Sequence, residues 1–276
     1  MKVPVFYSPR MVADSGGFSP SAAKPAAVVK AWTDSKMPIV IREPLIATLP
    51  MLNAAHDPQF VSEVMDGRKE NGHGNTSHKL AATLPYTCGA MVEAAREAIC
   101  NGMGAVAPVS GFHHAGHNFA GGFCTFNGLM VAAMALPDDE VGILDFDMHY
   151  GNGTDNIILT LDQGSRITHY TQGKYADPED AEDWLRKLPR LLERFEFCDV
   201  VLYQAGQDPH VNDPLGGWLT TDQLFRRDLI VFKKLRDMQV PVAWNLAGGY
   251  QSDFDKVVEG HVNTMRAFVE AHHNWE

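Results

Sequence analysis

The sequence predicts an α/β fold with one parallel sheet covered by helices on both faces. Three observations carry this. Short apolar runs alternate with helix-length segments along the chain, the order that a parallel sheet requires. The 276 residues, 45% apolar and 21% charged, suffice for a sizeable core. Four of the apolar runs end in Gly, His, Asp or Gln, at the strand ends where such sheets build their sites. No repeat, low-complexity tract or linker composition interrupts the chain, so residues 1–276 read as one domain.

Taken in order, residues 3–7 read as a strand and residues 8–21 as a polar loop with Gly and Pro. Residues 22–32, rich in Ala and Val, read as a helix, and 38–42 as a second strand. A short helix is expected over 57–65, entered through Asp57-Pro58. Residues 67–79 carry three Gly and two His, His73 and His78, and read as a mobile rim loop. Helical spacing returns over 86–100, closed by Asn101-Gly102. Strands follow at 104–109 and 141–144. An amphipathic helix over 183–195 should be irregular at Pro189. A strand at 198–204, a helix at 221–238 capped by Thr220 or Thr221, and a strand at 240–246 complete the alternation. Ser252 is the expected cap of a last helix running to about residue 272.

The net charge of −11 argues against a nucleic-acid footprint and against binding to an anionic membrane surface. No run reaches the ~18 apolar residues of a membrane span. The N-terminal residues lack the ~7–15-residue apolar stretch of a secretory signal, so cytoplasm is the expected compartment. Cys88, Cys100, Cys124 and Cys198 form no C-x-x-C pair, which excludes a cysteine zinc site. Cys100 and Cys198 read as core packing.

The chemistry concentrates at residues 141–153, VGILDFDMHYGNG. Asp145, Asp147 and His149 are two apart and share a direction on an extended chain. Buried charge needs a partner, and a divalent metal is the simplest one. Asp147 and His149, joined by Asp208 from another strand end, make a two-Asp, one-His set with open positions. That suits a catalytic Zn²⁺ holding a water, although iron or cobalt fits the same donors. His113 and His114 follow the strand at 104–109 among glycines, so one can face a water and the other a leaving group. Each needs an orienting acceptor: Asp145 for His113 and Asn152 for His114. Tyr250, after Gly248-Gly249, can place a phenol against an oxyanion. Gly122 and Phe123 can wall a narrow apolar channel. Together these are the parts for metal-assisted hydrolysis of an amide or ester.

Six ordered motifs, GFHH at 111–114, GGFC at 121–124, LDFDMHYGNGT at 144–154, AGQD at 205–208, DPLG at 213–216 and GGY at 248–250, resemble the zinc-dependent histone deacetylase family. That family includes bacterial deacetylase-like amidohydrolases and acetylpolyamine and acetoin-utilisation proteins. The resemblance implies a three-layer α/β/α sandwich of the arginase/deacetylase kind. It implies Asp147, His149 and Asp208 as ligands of one Zn²⁺, and His113 and His114 as a general base/acid pair. Tyr250 would polarise the carbonyl, and Gly122 and Phe123 would line the acyl-lysine channel. A structural K⁺ or Na⁺ is implied near Asp145. Many members carry His where Tyr150 stands and Asp where Asn152 stands; with GGFC, this chain looks closest to the class IV branch, which is associated with long-chain acyl groups as well as acetyl. Arginases use Asp-x-His-x-Asp for two manganese ions; Gly151 stands at the last position here, so one catalytic metal is expected.

The expected activity is hydrolysis of N-acetyl- or N-acyl-lysine. A small-molecule amidohydrolase acting on acetylpolyamines is the alternative among enzymes. A non-catalytic acyl- or metal-binding protein is the alternative of another class, and it would not require His113, His114 and Tyr250 together. The oligomeric state is not legible in the sequence.

Overall fold

A computed structural model describes residues 2–17, 19–174 and 180–273. Seven strands form one sheet: β1 (Val3–Phe6), β2 (Ile39–Arg42), β3 (Gly104–Ala107), β4 (Val141–Asp145), β5 (Ile167–Thr171), β6 (Val200–Gly206) and β7 (Val242–Ala247). Their spatial order is β2-β1-β3-β7-β6-β4-β5, and every pairing is parallel. All carboxyl ends therefore lie on one edge. The four strands that end in polar chemistry, β3, β7, β6 and β4, are contiguous at the centre.

Helices cover both faces. One layer comprises α2 (Leu49–Ala55), α3 (Pro58–Met65), α4 (His78–Ala81), α5 (Leu84–Asn101), α6 (Gly128–Met134) and α7 (Asn152–Thr160). These pack on Ala105, Ile143, Val200 and Leu202 of the sheet. The other layer comprises α1 (Lys24–Asp34), α8 (Ala181–Leu192), α9 (Thr221–Asp237) and α10 (Phe254–Ala271), packed on Val5, Val106, Val201, Tyr203 and Trp244. Alternate residues of β6 thus enter opposite cores, as strand geometry dictates. The result is the three-layer α/β/α sandwich.

Local chemistry explains the boundaries. Gly102, at φ 67°, ends α5 in the left-handed conformation that glycine adopts without strain. Thr220 and Gln223 form a capping box on α9, each side chain bonding the other's backbone N–H. Asp57 accepts the Phe60 N–H and caps α3.

Several expectations are corrected. Asp253, not Ser252, caps α10, its side chain accepting the Asp255 N–H. Cys100 is exposed at the end of α5 and so is not core, whereas Cys198, partly buried, packs against the core beside α8 and α9. The helix expected over 183–195 is α8 to Leu192, with Pro189 inside it, and then a 3₁₀ turn over Glu193–Phe195. The polar loop after β1 contains a 3₁₀ turn at Pro9–Met11, and the rim loop gives way to α4 from His78. The Gly151-Asn152-Gly153 run, which reads in the sequence as a tight turn leaving β4, instead leads into α7, with Asn152 its first residue.

Candidate active site

The four central strand ends deliver their side chains to one point. Asp145 ends β4, and the segment after it brings Asp147 and His149; the segment after β6 brings Asp208, that after β3 His113 and His114, and that after β7 Tyr250.

Asp147, His149 and Asp208 offer ligand atoms that all lie within 4.8 Å of one another. His149 Nδ1 is 3.1 Å from Asp147 Oδ1 and 2.9 Å from Asp208 Oδ2. Both carboxylates are buried. Asp208 Oδ2 has no well-directed hydrogen-bond donor, although it is fully enclosed. Burial and the neighbouring Asp147 push the Asp208 carboxyl up. The hydrogen bond to Asp147 and the neighbouring Asp208 carboxylate hold the His149 imidazole up at about 10. Two enclosed carboxylates this close need positive charge. The His149 imidazolium provides it, and a divalent cation held by the same three groups would meet the need with neutral His149. An orphaned oxygen, a carboxylate pair and an imidazole therefore fit a metal. His73 and His78 take no part: His73 tilts against Phe123 with ring centroids 5.5 Å apart, and His78 lies over Gly67.

Asp145 is turned away from this cluster. Its Oδ2 is 2.7 Å from His113 Nδ1, and its Oδ1 accepts the Asp147 N–H and the Gln204 amide, each at 3.1 Å. Gln204 in turn accepts the Phe112 N–H at 2.9 Å, tying the segment that carries His113 to β6. His113 Nε2 points at the cluster, 3.5 Å from Asp147. Burial works against charging His113, but Asp145 and Asp147 outweigh it and hold the ring at about 9. His114 lies beside it, with ring centroids 4.0 Å apart, and its Nδ1 is 2.7 Å from Asn152 Oδ1. Burial and the charge of His113 hold His114 below its usual value. The two rings are thus driven to opposite protonation preferences, His113 toward the charged form and His114 toward the neutral one.

Gly122 and Phe123 form a tight turn in which both have positive φ, 52° and 63°. A Cβ on Gly122 would stand 2.3 Å from His114 Cδ2, so only glycine lets the turn close over that ring. Phe123 and Tyr250 face each other with ring centroids 5.6 Å apart. Behind Gly111 and Phe123 lies a cavity of about 50 Å³ with Ser21, Ser110 and Thr125 among apolar neighbours. Burial and the nearby Asp147 and Asp208 push the Tyr250 phenol above its usual range, so it stays protonated and donates. Its backbone N–H bonds Asp213 at 2.7 Å, and Ser21 hydrogen-bonds its side chain.

Two supports had no signal in the sequence. Lys24 is fully buried, donates to the Gly248 carbonyl next to the Tyr250 hinge, and is pulled down to about 8 by burial. Ser21, bonded to Ser19 at 2.9 Å, belongs to a segment read only as a polar loop. A buried lysine and a solvated one look alike in a sequence.

The family profile described as Histone deacetylase domain matches residues 21–179. An uncharacterised protein of Picosynechococcus is 27% identical, the alignment covering 83% of this chain and 85% of that protein. Histone deacetylase 2 of Arabidopsis thaliana is 29% identical over 56% of this chain and 46% of its own length. The chain thus spans about half of that plant deacetylase. Acetylpolyamine amidohydrolase 1 of Pseudomonas aeruginosa is 45% identical over 53 residues, which are 18% of this chain and 15% of that protein. A solved structure described as the HDA15 HD domain superposes with a TM-score of 0.72, covering 99% of this chain and 95% of the other at 18% identity.

Proposed function

The chain belongs to the histone deacetylase family, and from that premise we propose that it is a zinc-dependent deacylase acting on N-acyl-lysine. The observation that carries the reading is the paired support of two histidines above one ligand cluster. His113 and His114 each hold an oriented acceptor at 2.7 Å, and both stand against Asp147, His149 and Asp208. A binding protein would need the cluster but not the pair.

Zn²⁺ held by Asp147, His149 and Asp208 would supply Lewis acidity to the acyl carbonyl and acidify an attacking water. Asp145 orients His113 so that Nε2 faces the cluster, and a divalent ion on Asp147 and Asp208 would offset the carboxylate charge that keeps the ring protonated, freeing Nε2 to take the proton of that water. His114, its Nδ1 held by Asn152, carries a proton to the departing lysine amine. The C–N bond breaks, the acyl group leaves as a carboxylate, and the amine leaves as an ammonium ion. The Tyr250 hydroxyl, kept neutral by its surroundings, donates to the developing oxyanion. Phe123 and Tyr250 flank the alkyl stem. One catalytic ion per chain and a K⁺ or Na⁺ beside Asp145 belong to the same proposal.

The short stretch of 45% identity to the acetylpolyamine enzyme supports acetylated polyamines as a second substrate class, and the net charge of −11 suits cationic substrates of either kind. A panel of acetyl-, trifluoroacetyl-, octanoyl- and myristoyl-lysine peptides beside N-acetylputrescine decides. Turnover is expected for the short acyl-lysines. Turnover of N-acetylputrescine with none of any lysine substrate would sink the lysine assignment.

A further inference from the structure

Beneath the ligand-bearing strand ends lies a buried cation that no step of the proposed reaction uses. Arg227, on α9, is fully buried. Its Nη1 donates to Gly206 O at 2.7 Å and to Phe146 O at 3.3 Å. Phe146 immediately precedes Asp147, and Gly206 stands two residues before Asp208. The paired register of β4 and β6 ends at Asp145 and Gln204, so these carbonyls lie where the two chains part to present their ligands. The segments touch here: a Cβ on Gly206 would come within 2.6 Å of Phe146 O and Asp147 Cα.

Asp228 fixes the guanidinium from the other side. Arg227 Nε and Nη2 each lie 2.8 Å from Asp228 Oδ1. Asp228 also accepts from the Tyr203 hydroxyl at 2.5 Å and from Thr264 Oγ1 at 2.6 Å. Thr264 accepts from the Gln207 amide at 3.2 Å, and Gln207 is the residue beside Asp208. The network therefore grips both ligand segments by their backbone and one of them again by a side chain. Enclosed ion pairs seldom add net stability over apolar replacements. What a planar guanidinium adds is a fixed spacing between the groups it bridges.

We infer that Arg227, oriented by Asp228, is a positioning residue that sets the separation of Asp147 and Asp208 and with it the affinity of the site for a divalent ion. The inference rests on the metal reading above.

The test uses the full chain as wild type, Arg227→Lys, and the paired variant Arg227→Met with Asp228→Asn. It reads the Zn²⁺ dissociation constant by chelator competition, the absorption spectrum of the Co²⁺ form, and the melting temperature with and without metal. The expected result is Zn²⁺ affinity about 10–100-fold weaker in the paired variant, with an altered Co²⁺ spectrum and an intermediate affinity for Arg227→Lys. A folded paired variant with wild-type affinity and spectrum overturns the inference, even if its melting temperature falls, because the role is then only structural. Should the paired variant not fold, Arg227→Lys decides, and wild-type affinity in it overturns the inference. A wild-type chain that takes up no Zn²⁺ overturns the metal reading and this inference together; uptake in the wild type with no change in the variants overturns this inference alone.

Discussion

Replacing Asn152 by Asp puts a carboxylate where a neutral amide now stands, 2.7 Å from His114 Nδ1. Unit charges ~4 Å apart interact by roughly 4 kcal/mol at an effective dielectric of about 20. At about 1.4 kcal/mol per unit, that is a ceiling of roughly three pKa units. His114 is only partly buried, so water reduces the effect, and a rise of about one to two units is expected. His113 gives the internal comparison: with Asp145 at the same distance and complete burial, it is held at about 9. The assay is kcat/KM for an acetyl-lysine peptide against pH at constant ionic strength. In Asn152→Asp, the limb belonging to His114 should move toward alkaline pH by about one to two units while the other limb stays. If both limbs stay within about 0.3 unit of wild type, His114 does not transfer a proton in the rate-determining sequence. A limb moving toward acid would refute the electrostatic argument itself.

Tyr250→Phe removes the oxyanion donor but no ligand, so kcat should fall about 10²–10³-fold with Zn²⁺ affinity unchanged; a kcat within a factor of two or so would remove Tyr250 from the reaction. His56 is a structural prediction. It is fully buried, its Nδ1 faces the Gly116 carbonyl at 2.9 Å, and its Nε2 accepts the Asn127 N–H at 2.9 Å. That arrangement requires the neutral ring, and burial pulls it down to about 4 from an ordinary 6.5. Between those values the unfolded chain binds more protons than the folded one. The contribution of His56 is therefore complete above about pH 6.5 and is lost as the pH falls toward 4, a change of about 3 kcal/mol. Urea melts across that range should show the slope in the wild type and a shallower one in His56→Gln; equal slopes would contradict the assignment.

The fold class was legible because strand and helix signals alternate and because Gly102, Thr220 and Asp57 carry their capping chemistry in the sequence. Besides the single-turn α4, hidden in the rim loop, four elements were not. α6 is apolar on nearly every face, so it has no periodicity to detect. The run Gly151-Asn152-Gly153 reads as a turn, yet Asn152 and Gly153 form the first turn of α7. β5, Ile-Thr-His-Tyr-Thr, mixes polar and apolar residues at an edge of the sheet. α2 is short and begins with Pro at its second position. In the site, the parts that lie within a few residues of one another stood out, because carboxylates and imidazoles in an apolar run demand a reason. The parts that arrive from a distance did not. Lys24 and Arg227 read as ordinary helix cations, and only the tertiary structure shows them buried against the backbone of the ligand segments. Gln204 is likewise a polar residue whose value depends on Phe112 and Asp145 meeting it.

The most direct test of the central claim is hydrolysis of an acetyl-lysine peptide followed while chelator-stripped protein is titrated with Zn²⁺. Activity should be absent without metal, rise in step with bound Zn²⁺, and level off at one ion per chain, and Asp208→Asn should lose binding and turnover together. Hydrolysis that survives chelation, or a fully loaded wild-type chain that turns over no acyl amide, would contradict the account.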